Sequence, residues 1–291
     1  MKKIMITGAT GGLGGRVLEL ISEKADTSSL FTLARDPQKL AAFQEKGVTI
    51  VQGDYDDSAS LVNAFTGIDV LYFVSGSDIV KRMQQHENVV NAAKEAGVKH
   101  VIYTSFQRKN ETESSPIAPI ASTHLKTENL LKESGMTYTI LKHALYAEGI
   151  PMFLGEDVIE RGVIYQPAGE GKTAFTSRAD MAEAAVAILT TEEHENKTYE
   201  ISVNASYTYG DVARILSEIS GKEITYVSPT AEEFKKTMES AGVPPEIIGM
   251  VIMFGEGIRQ GEFDFPKTTL ERLIGRKPES MKEFLTKIYR K

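Results

Sequence analysis

The glycine-rich segment Thr7–Gly14, with the sequence TGATGGLG, constrains the fold of this chain more than any other feature. It follows the short apolar run Ile4–Ile6 and opens a stretch in which apolar residues recur at helical spacing. A strand that turns through glycines into a helix presents the first N–H groups of that helix to an anion, together with the positive end of the helix dipole. The segment therefore predicts a diphosphate-binding turn at the start of an α/β sheet.

Each glycine of this turn has its own expected task. Gly8 takes the tight turn, Gly11 lets the backbone approach phosphates, and Gly14 lets the helix pack closely on the strand. The spacing Gly-x-x-Gly-x-x-Gly differs from the commoner Gly-x-Gly-x-x-Gly fingerprint and indicates a particular branch of nucleotide-binding proteins. The residues of the turn expected to contact the bound dinucleotide are Gly8, Thr10, Gly11, Gly12, Leu13 and Gly14.

The composition excludes several classes of protein. At 291 residues, with 41% hydrophobic and 25% charged residues, the chain has the make-up of a globular protein with one large or two smaller domains. The absence of cysteine excludes disulfides and thiol catalysis, and the five histidines show no metal-ligand spacing. A net charge of −7 argues against binding to nucleic acid, and no apolar run reaches membrane-spanning length. We therefore expect a cytoplasmic protein without a metal site.

Apolar runs and helical patterns alternate through the first 145 residues. Glycines at 47, 67, 97 and 135 stand where helices should end, and the nearly all-apolar runs are typical of parallel strands covered on both faces. The predicted strands are Ile4–Ile6, Leu30–Ala34, Val48–Gln52, Val70–Val74, Val98–Thr104 and Tyr138–Lys142. The predicted helices cover 13–24, 37–46, 58–66, 80–96 and 121–134. This order predicts an α/β fold with a Rossmann-type, doubly wound parallel sheet.

The pattern changes after residue 150. A hairpin-like region over Gly162–Phe175 precedes a helix at Arg178–Leu189, and a mostly helical remainder follows. Two further strands are expected at Thr198–Ser202 and Ile224–Val227, with the helix Tyr209–Ser220 between them. We expect residues 1–150 to form a dinucleotide-binding core and residues 151–291 a smaller substrate-side lobe interleaved with it, as one domain.

Arg35 ends the second predicted strand, about twenty residues beyond the glycine turn. An acidic residue at this place binds the ribose 2′-hydroxyl of NAD, whereas an arginine suits the 2′-phosphate of NADP because its planar fork pairs with phosphate oxygens. The alternative is a surface arginine paired with Asp36. Since Asp36 can also face a ribose, NADP(H) is the preferred cofactor and NAD(H) stays open.

The ends of the next three predicted strands supply further candidates for dinucleotide binding. Asp54 can accept a hydrogen bond from the adenine amino group with Tyr55 beside the ring, although Asp54 can also cap the next helix. Asp57 is the better cap by position. The small Ser75-Gly76 pair allows backbone to approach a ribose or nicotinamide, and Thr104-Ser105 places hydroxyls near the hydride-transfer position. Those hydroxyls can equally lie in a loop without a role.

Several motifs resemble the atypical short-chain dehydrogenase/reductases of the NmrA-like group, nearest to type-2 NAD(P)H:quinone oxidoreductases and triphenylmethane reductases. The resemblance covers nearly the whole chain and is stronger before residue 150. It implies a Rossmann fold with a small, mostly helical C-terminal lobe, NADPH as cofactor, and a planar aromatic or quinone substrate. The residues that carry it are the glycine turn, Arg35, Gly53-Asp54, Tyr103–Ser105, Thr123–Glu128, Tyr138–Leu141 and Leu270–Pro278.

The usual catalytic pair of this superfamily, Tyr-x-x-x-Lys on a helix, is missing. Its only occurrence joins Tyr138 to Lys142 in a predicted strand, where four residues span about 13 Å and the side chains cannot meet. On the predicted helix, Lys126 has no tyrosine four residues before it. His124 is the better candidate, as a proton donor or as a contact to the nicotinamide ribose. The alternative is that His124 and Glu128 pair on the helix surface.

The segment after the sixth strand resembles the one that closes over the nicotinamide in this family. The resemblance implies that Leu145 contacts the cofactor and that Tyr146 stacks on, or hydrogen-bonds, a flat acceptor. Tyr146 can also be an ordinary tyrosine at the edge of a core. Seven apolar residues are candidates to line a substrate cleft, or belong to ordinary packing: Ile150, Met152, Phe153, Met250, Ile252, Met253 and Phe254.

Three functions compete at this stage. The first is an NAD(P)H-dependent reductase of a quinone or similar planar electrophile, because hydride transfer needs mainly proximity and orientation. The second is a non-catalytic, NAD(P)-sensing regulator of the NmrA type, which would have a protein partner. The third is a sugar-nucleotide epimerase, disfavoured because it needs the missing tyrosine–lysine pair. A homodimer stays open in each case.

Overall fold

The computed structural model describes residues 2–290, which form nine strands and thirteen α-helices. The strands are β1 Ile4–Ile6, β2 Leu30–Ala34, β3 Thr49–Gln52, β4 Val70–Phe73, β5 His100–Phe106, β6 Thr137–His143, β7 Val163–Tyr165, β8 Lys197–Ile201 and β9 Thr225–Val227. The first eight helices are α1 Gly12–Ser22, α2 Ala41–Gln44, α3 Ser58–Phe65, α4 Arg82–Glu95, α5 Ala118–Glu133, α6 Ile150–Leu154, α7 Val158–Arg161 and α8 Arg178–Thr190. The other five are α9 Tyr209–Ser220, α10 Ala231–Ser240, α11 Pro245–Arg259, α12 Thr269–Ile274 and α13 Met281–Tyr289.

The chain forms two compact units, each assembled from three segments. The first unit contains the chain up to Phe106, together with Ile120–His143 and Arg178–Glu200. The second contains Gln107–Pro119, Ala144–Ser177 and the chain from Ile201 onward. The substrate-side role expected for residues 151–291 stays a prediction. Among residues 2–290, no helix combines the length and the apolar character needed to cross a membrane.

A seven-stranded sheet with the order β3-β2-β1-β4-β5-β6-β8 organises the first unit. Neighbouring strands from β3 through β6 pair in parallel, with Ile4 of β1 opposite both Leu30 and Val70. Helices α3, α4 and α5 cover an apolar cluster that includes Phe65, Phe73 and Leu131. The predicted Rossmann-type sheet is confirmed, and its elements from β1 to β6 lie within four residues of their predicted bounds. Since strand order reverses between β1 and β4, this is where such folds bind their ligands.

Helix α1 leaves β1 at very short range because the turn between them is made of glycines. Gly8 has a φ of +66°, a left-handed conformation that favours glycine, and its carbonyl accepts from the Gly11 N–H at 2.9 Å. A Cβ atom at Gly14 would lie 2.5 Å from the Gly8 oxygen and 2.7 Å from the Thr7 oxygen. Gly14 thus allows the helix to pack closely on the strand, as expected.

The hairpin expected over Gly162–Phe175 is wrong. Strand β7 within it pairs in parallel with β9, far along the chain, and the two form a separate two-stranded sheet in the second unit. Gly171 lies in this region and serves a close contact between backbones instead of a hairpin turn. A Cβ there would overlap the Ile258 carbonyl of α11. A glycine that lets two backbones touch has the same sequence signature as a turn glycine.

The close contact at Gly14 generates a stability prediction. We expect Gly14→Ala to lower the free energy of unfolding by about 1–3 kcal/mol, because the new methyl group meets backbone atoms that cannot rotate away. Gly249→Ala is the matched control, since Gly249 lies inside helix α11 with open space around it. That control should be neutral or gain up to about 1 kcal/mol from helix propensity. Chemical denaturation measures both; equal effects would contradict the steric account.

Candidate active site

No side chain caps the N-terminus of α1. Its N-cap is Gly11, whose lack of a side chain leaves the first N–H groups without a capping oxygen, and the first turn carries no acidic residue. By contrast, α9, α10 and α13 each begin with a complete capping box. Thr10, Gly11 and Gly12 are exposed, whereas Leu13 is buried beneath them. This arrangement fits an anion bound at the helix N-terminus.

Arg178, the first residue of α8, lies over the same helix terminus. A Cβ atom at Gly12 would overlap its guanidinium as it lies here, so a side chain at residue 12 would make the arginine shift. Helices α1 and α8 pack against each other in the first unit. The sequence reasoning missed Arg178, because nothing in the chain's local pattern relates residue 178 to the glycine turn.

The Thr7 hydroxyl ties the ends of β1 and β4 together. It donates to the Tyr72 carbonyl at 3.2 Å and accepts from the Val74 N–H at 2.9 Å. The Tyr55 hydroxyl lies 2.6 Å from Thr7 Oγ1 and 2.8 Å from the Val74 oxygen. Burial raises the pKa of the Tyr55 phenol. The Tyr55 hydroxyl thus serves the fold, and a place for its ring beside adenine stays a prediction.

A pocket of about 390 Å³ opens at the ends of β2 and β3. Arg35 is exposed and lines it, and the carboxylate of Asp36 accepts from the Gln38 N–H at 3.1 Å. Among the described residues, Arg35 forms no ion pair with Asp36, so the surface-pair alternative is wrong. The other lining residues are Gln52, Gly53, Asp54, Asp57 and Ser60. Arg35 is the cation among these lining residues, and its guanidinium can pair with a phosphate.

Asp57, not Asp54, caps the helix that follows. Its carboxylate accepts from the N–H groups of Ala59 and Ser60 at 3.1 and 3.2 Å. The Asp54 carboxylate accepts from the nearby Asp56 N–H at 3.1 Å, and the Asp54 N–H donates to Ser60 Oγ at 3.1 Å. The capping alternative for Asp54 is thereby removed, and its contact to adenine stays a prediction.

The residues predicted at the ends of β4 and β5 are bonded to one another and to the helices. The Ser75 N–H donates to Thr104 Oγ1 at 2.9 Å, and the Gly76 N–H donates to His86 Nε2 at 3.0 Å. The Ser105 hydroxyl donates to the Glu128 carboxylate. The Thr104 hydroxyl therefore holds the loop after β4, and the Ser105 hydroxyl contacts helix α5. Both hydroxyls have hydrogen-bond partners, so neither lies unused in a loop.

His124 points inward from α5. It is 5% exposed, and its Nδ1 lies 2.7 Å from the hydroxyl of the buried Tyr103. Glu128, one turn later, is also buried, whereas Lys126 is exposed. The alternative of a His124–Glu128 pair on the helix surface is wrong, because both side chains lie on the inner face of α5. His124-x-x-x-Glu128 thus has the spacing of the missing Tyr-x-x-x-Lys pair.

The positive charge near Glu128 comes from β6 instead of from α5. Lys142 Nζ lies 4.0 Å from Glu128 Oε2, and the Lys142 side chain is 16% exposed. Lys142 is opposite Ser105 in the pairing of β6 with β5. As expected, Tyr138 and Lys142 lie on a strand, so this Tyr-x-x-x-Lys is not a catalytic pair.

Leu145 and Tyr146 belong to the second unit. The Leu145 carbonyl accepts from the Thr176 N–H at 3.0 Å, and Tyr146 precedes a short 3-10 turn over Ala147–Gly149. Their predicted roles toward cofactor and substrate stay predictions. Of the apolar candidates, Phe153 and Ile252 pack on a cluster around Phe234, Ile248 and Val251. Met152, by contrast, is 63% exposed.

Comparisons with known proteins identify the family of this chain. The model of the NmrA-like family matches residues 1–286. The chain belongs to the NmrA-like family. Quinone oxidoreductase 2 of Escherichia coli (strain K12) is 35% identical over 286 residues, which cover 98% of each chain. Among residues 2–290, no cluster of metal-ligating side chains occurs.

Two solved structures of relatives are also closely similar to this chain. An NADPH-dependent quinone oxidoreductase from Escherichia coli, in complex with NADPH, superposes with a TM-score of 0.92 at 35% identity, covering 98% of this chain and 99% of that one. The triphenylmethane reductase of a Citrobacter species, in complex with NADP(H), gives 0.90 at 36% identity over 98% and 99% of the two chains. Both relatives share the length and the fold of this family member.

Buried histidine makes the stability of this site depend on pH. Burial, aided by the charge of Arg82, lowers the pKa of His86 from 6.5 to about 3. Between about pH 3 and pH 6.5, His86 is therefore protonated in the unfolded chain and unprotonated in the folded chain. The stabilisation is complete above pH 6.5 and is lost as the pH falls toward 3, by about 1.4 kcal/mol per pH unit.

We expect His86→Gln to flatten this dependence, because an amide offers an acceptor and a donor without taking up a proton. The measurement is urea denaturation of both proteins between pH 7 and about pH 4.5. The wild type should lose stability more steeply than the variant. Parallel curves for the two proteins would refute the assignment of a neutral, buried His86.

Proposed function

We propose that this protein is an NAD(P)H-dependent reductase of quinones or similar planar electrophiles. The observation that carries the proposal is the glycine turn at the end of β1. It leads into a helix without a side-chain cap, beside a pocket that contains Arg35. The family membership, with a quinone oxidoreductase and a dye reductase among the relatives, supports the same chemistry.

The residues present fit NADPH. Gly8 and Gly14 let helix α1 start close to the end of β1, and the uncapped N-terminus of α1 favours a diphosphate there. Arg35 in its pocket supports a preference for the 2′-phosphate of NADP(H), with NAD(H) as the weaker ligand. The bound cofactor supplies a hydride, and the chain's own residues bind, orient and exclude water.

The chain's residues have limited chemistry to perform, because a quinone accepts a hydride directly and its oxygen can take the proton from solvent. Positioning then accounts for most of the rate enhancement. We assign Ser75, Gly76, Thr104 and Ser105 to the loop geometry around the nicotinamide, and His124 to a hydrogen bond with the acceptor or the ribose. The lack of a phenol–lysine pair is compatible with this reaction and not with epimerisation. We place the enzyme in the cytoplasm, where reduced dinucleotide is available.

The decisive measurement is the loss of reduced-nicotinamide absorbance when purified protein receives NADPH and a panel of quinones and triphenylmethane dyes. We expect oxidation that depends on both enzyme and acceptor, faster with NADPH than with NADH at low cofactor concentration. Tight binding of NADPH without turnover of any acceptor would overturn the proposal in favour of a sensing protein.

Arg35→Gln tests the cofactor preference. We expect the Kd for NADPH to rise about 10- to 100-fold, because a charge-assisted contact to phosphate is lost, and the Kd for NADH to change little. Arg214→Gln is the control, an exposed arginine on α9 whose partners are Asp211 and Glu218. Its Kd values should match the wild type. Equal loss of both cofactors in Arg35→Gln would contradict the role given to Arg35.

A further inference from the structure

The protonation of His86 follows from its two neighbours. The Gly76 N–H donates to His86 Nε2 at 3.0 Å, so this nitrogen carries no proton. His86 Nδ1 lies 2.9 Å from Thr127 Oγ1, whose own hydroxyl donates to the Thr123 carbonyl at 2.8 Å. The hydroxyl proton of Thr127 is therefore committed to Thr123, and His86 Nδ1–H donates to Thr127. The low pKa of the buried His86 agrees with this neutral form.

This protonation state decides the direction of the next hydrogen bond. The Tyr103 hydroxyl lies between two histidine nitrogens, 3.5 Å from His86 Nδ1 and 2.7 Å from His124 Nδ1. His86 Nδ1 carries a proton and cannot accept. Of the two nitrogens, His124 Nδ1 is the one that can accept a hydrogen bond from the Tyr103 hydroxyl.

We propose that Tyr103 is a positioning residue that holds neutral His124 in the tautomer with its proton on Nε2. This inference rests on the proposed function and deepens it, since it names how the candidate donor is oriented. The two ring nitrogens of imidazole point to different sides, so Nε2–H is directed away from Tyr103. The Phe106 ring, whose centroid is 5.7 Å from that of His124, restricts rotation of the imidazole.

The assigned tautomer has a chemical consequence. A neutral imidazole with its proton on Nε2 donates a hydrogen bond at neutral pH without first gaining a charge, as suits a group that polarises an acceptor oxygen or holds a ribose hydroxyl. The alternative tautomer would present a lone pair at Nε2 and would repel an acceptor oxygen. Tyr103 thus takes part in the site from inside the sheet, without contact to substrate.

Nitrogen NMR of protein labelled in its five histidines tests the assignment. In the wild type near neutral pH, we expect His124 Nδ1 to have the shift of an unprotonated nitrogen and Nε2 that of a protonated one. His124→Asn assigns the signal by its disappearance. In Tyr103→Phe, which removes one oxygen and keeps the ring, the two shifts of His124 should move toward each other as the tautomers mix. The signals of His86 should stay in place.

Tyr138→Phe is the matched control, a tyrosine-to-phenylalanine change on the neighbouring strand β6 that should leave the signals of His124 unchanged. A wild-type His124 with its proton on Nδ1 would overturn the proposal, even if Tyr103→Phe failed to fold. His124 shifts that are identical in wild type and Tyr103→Phe would also overturn it.

A kinetic measurement tests whether the tautomer of His124 matters for turnover. With NADPH and a quinone, Tyr103→Phe should lower kcat by at least about tenfold and leave the Kd for NADPH unchanged. An unchanged kcat would overturn the positioning role. If none of the acceptors supports oxidation of NADPH, the proposed function alone is contradicted. The NMR measurement needs no turnover, so it still reports the tautomer of His124.

Discussion

Helix α1 follows β1 so closely that a methyl group at Gly14 would overlap the backbone oxygens of Thr7 and Gly8. This approach brings uncapped N–H groups to the point where the strand order of the sheet reverses. Without it, the helix dipole would be displaced from the diphosphate it is proposed to bind, and the field of a helix terminus falls off within one turn. The same lack of side chains at Gly12 admits the Arg178 guanidinium. The steric constraint at Gly14 thus sets the place of the backbone donors.

Buried polar groups hold the adjoining loops to the strand ends. Thr7 joins β1 to the end of β4, Thr104 accepts from the Ser75 N–H, and His86 accepts from the Gly76 N–H. Each bond satisfies a backbone N–H that emerges from the sheet, where an unpaired buried donor would cost about 1–3 kcal/mol. The loops after β4 and β5 are consequently shaped before any ligand arrives. A preorganised loop loses less conformational freedom on binding.

The sequence predicted the sheet, the glycine turn and the place of Arg35, because these depend on local patterns with a fixed period or on a residue that no other can replace. It failed at Gly162–Phe175, because the partner of β7 lies some sixty residues away and Gly171 serves a backbone contact. It also did not predict the contact of Tyr103 with His86 and His124, or that of Lys142 with Glu128. Nothing local distinguishes a tyrosine in a buried strand from any other core aromatic, and Lys142 reaches Glu128 only through the pairing of β6 with β5. Tertiary register, not composition, brings these groups together.

The inward pair on α5 shows how the same helix serves a different reaction. A phenol beside an ammonium group is arranged to lose its proton, which suits abstraction from an alcohol. Here the positions one turn apart hold His124 and Glu128, and the ammonium group of Lys142 comes from β6. Glu128 also accepts from Ser105, so its charge is offset by a hydrogen bond and by the nearby ammonium group of Lys142. In the tautomer that we propose, His124 donates through Nε2, which is enough for an acceptor that needs orientation more than it needs a strong acid.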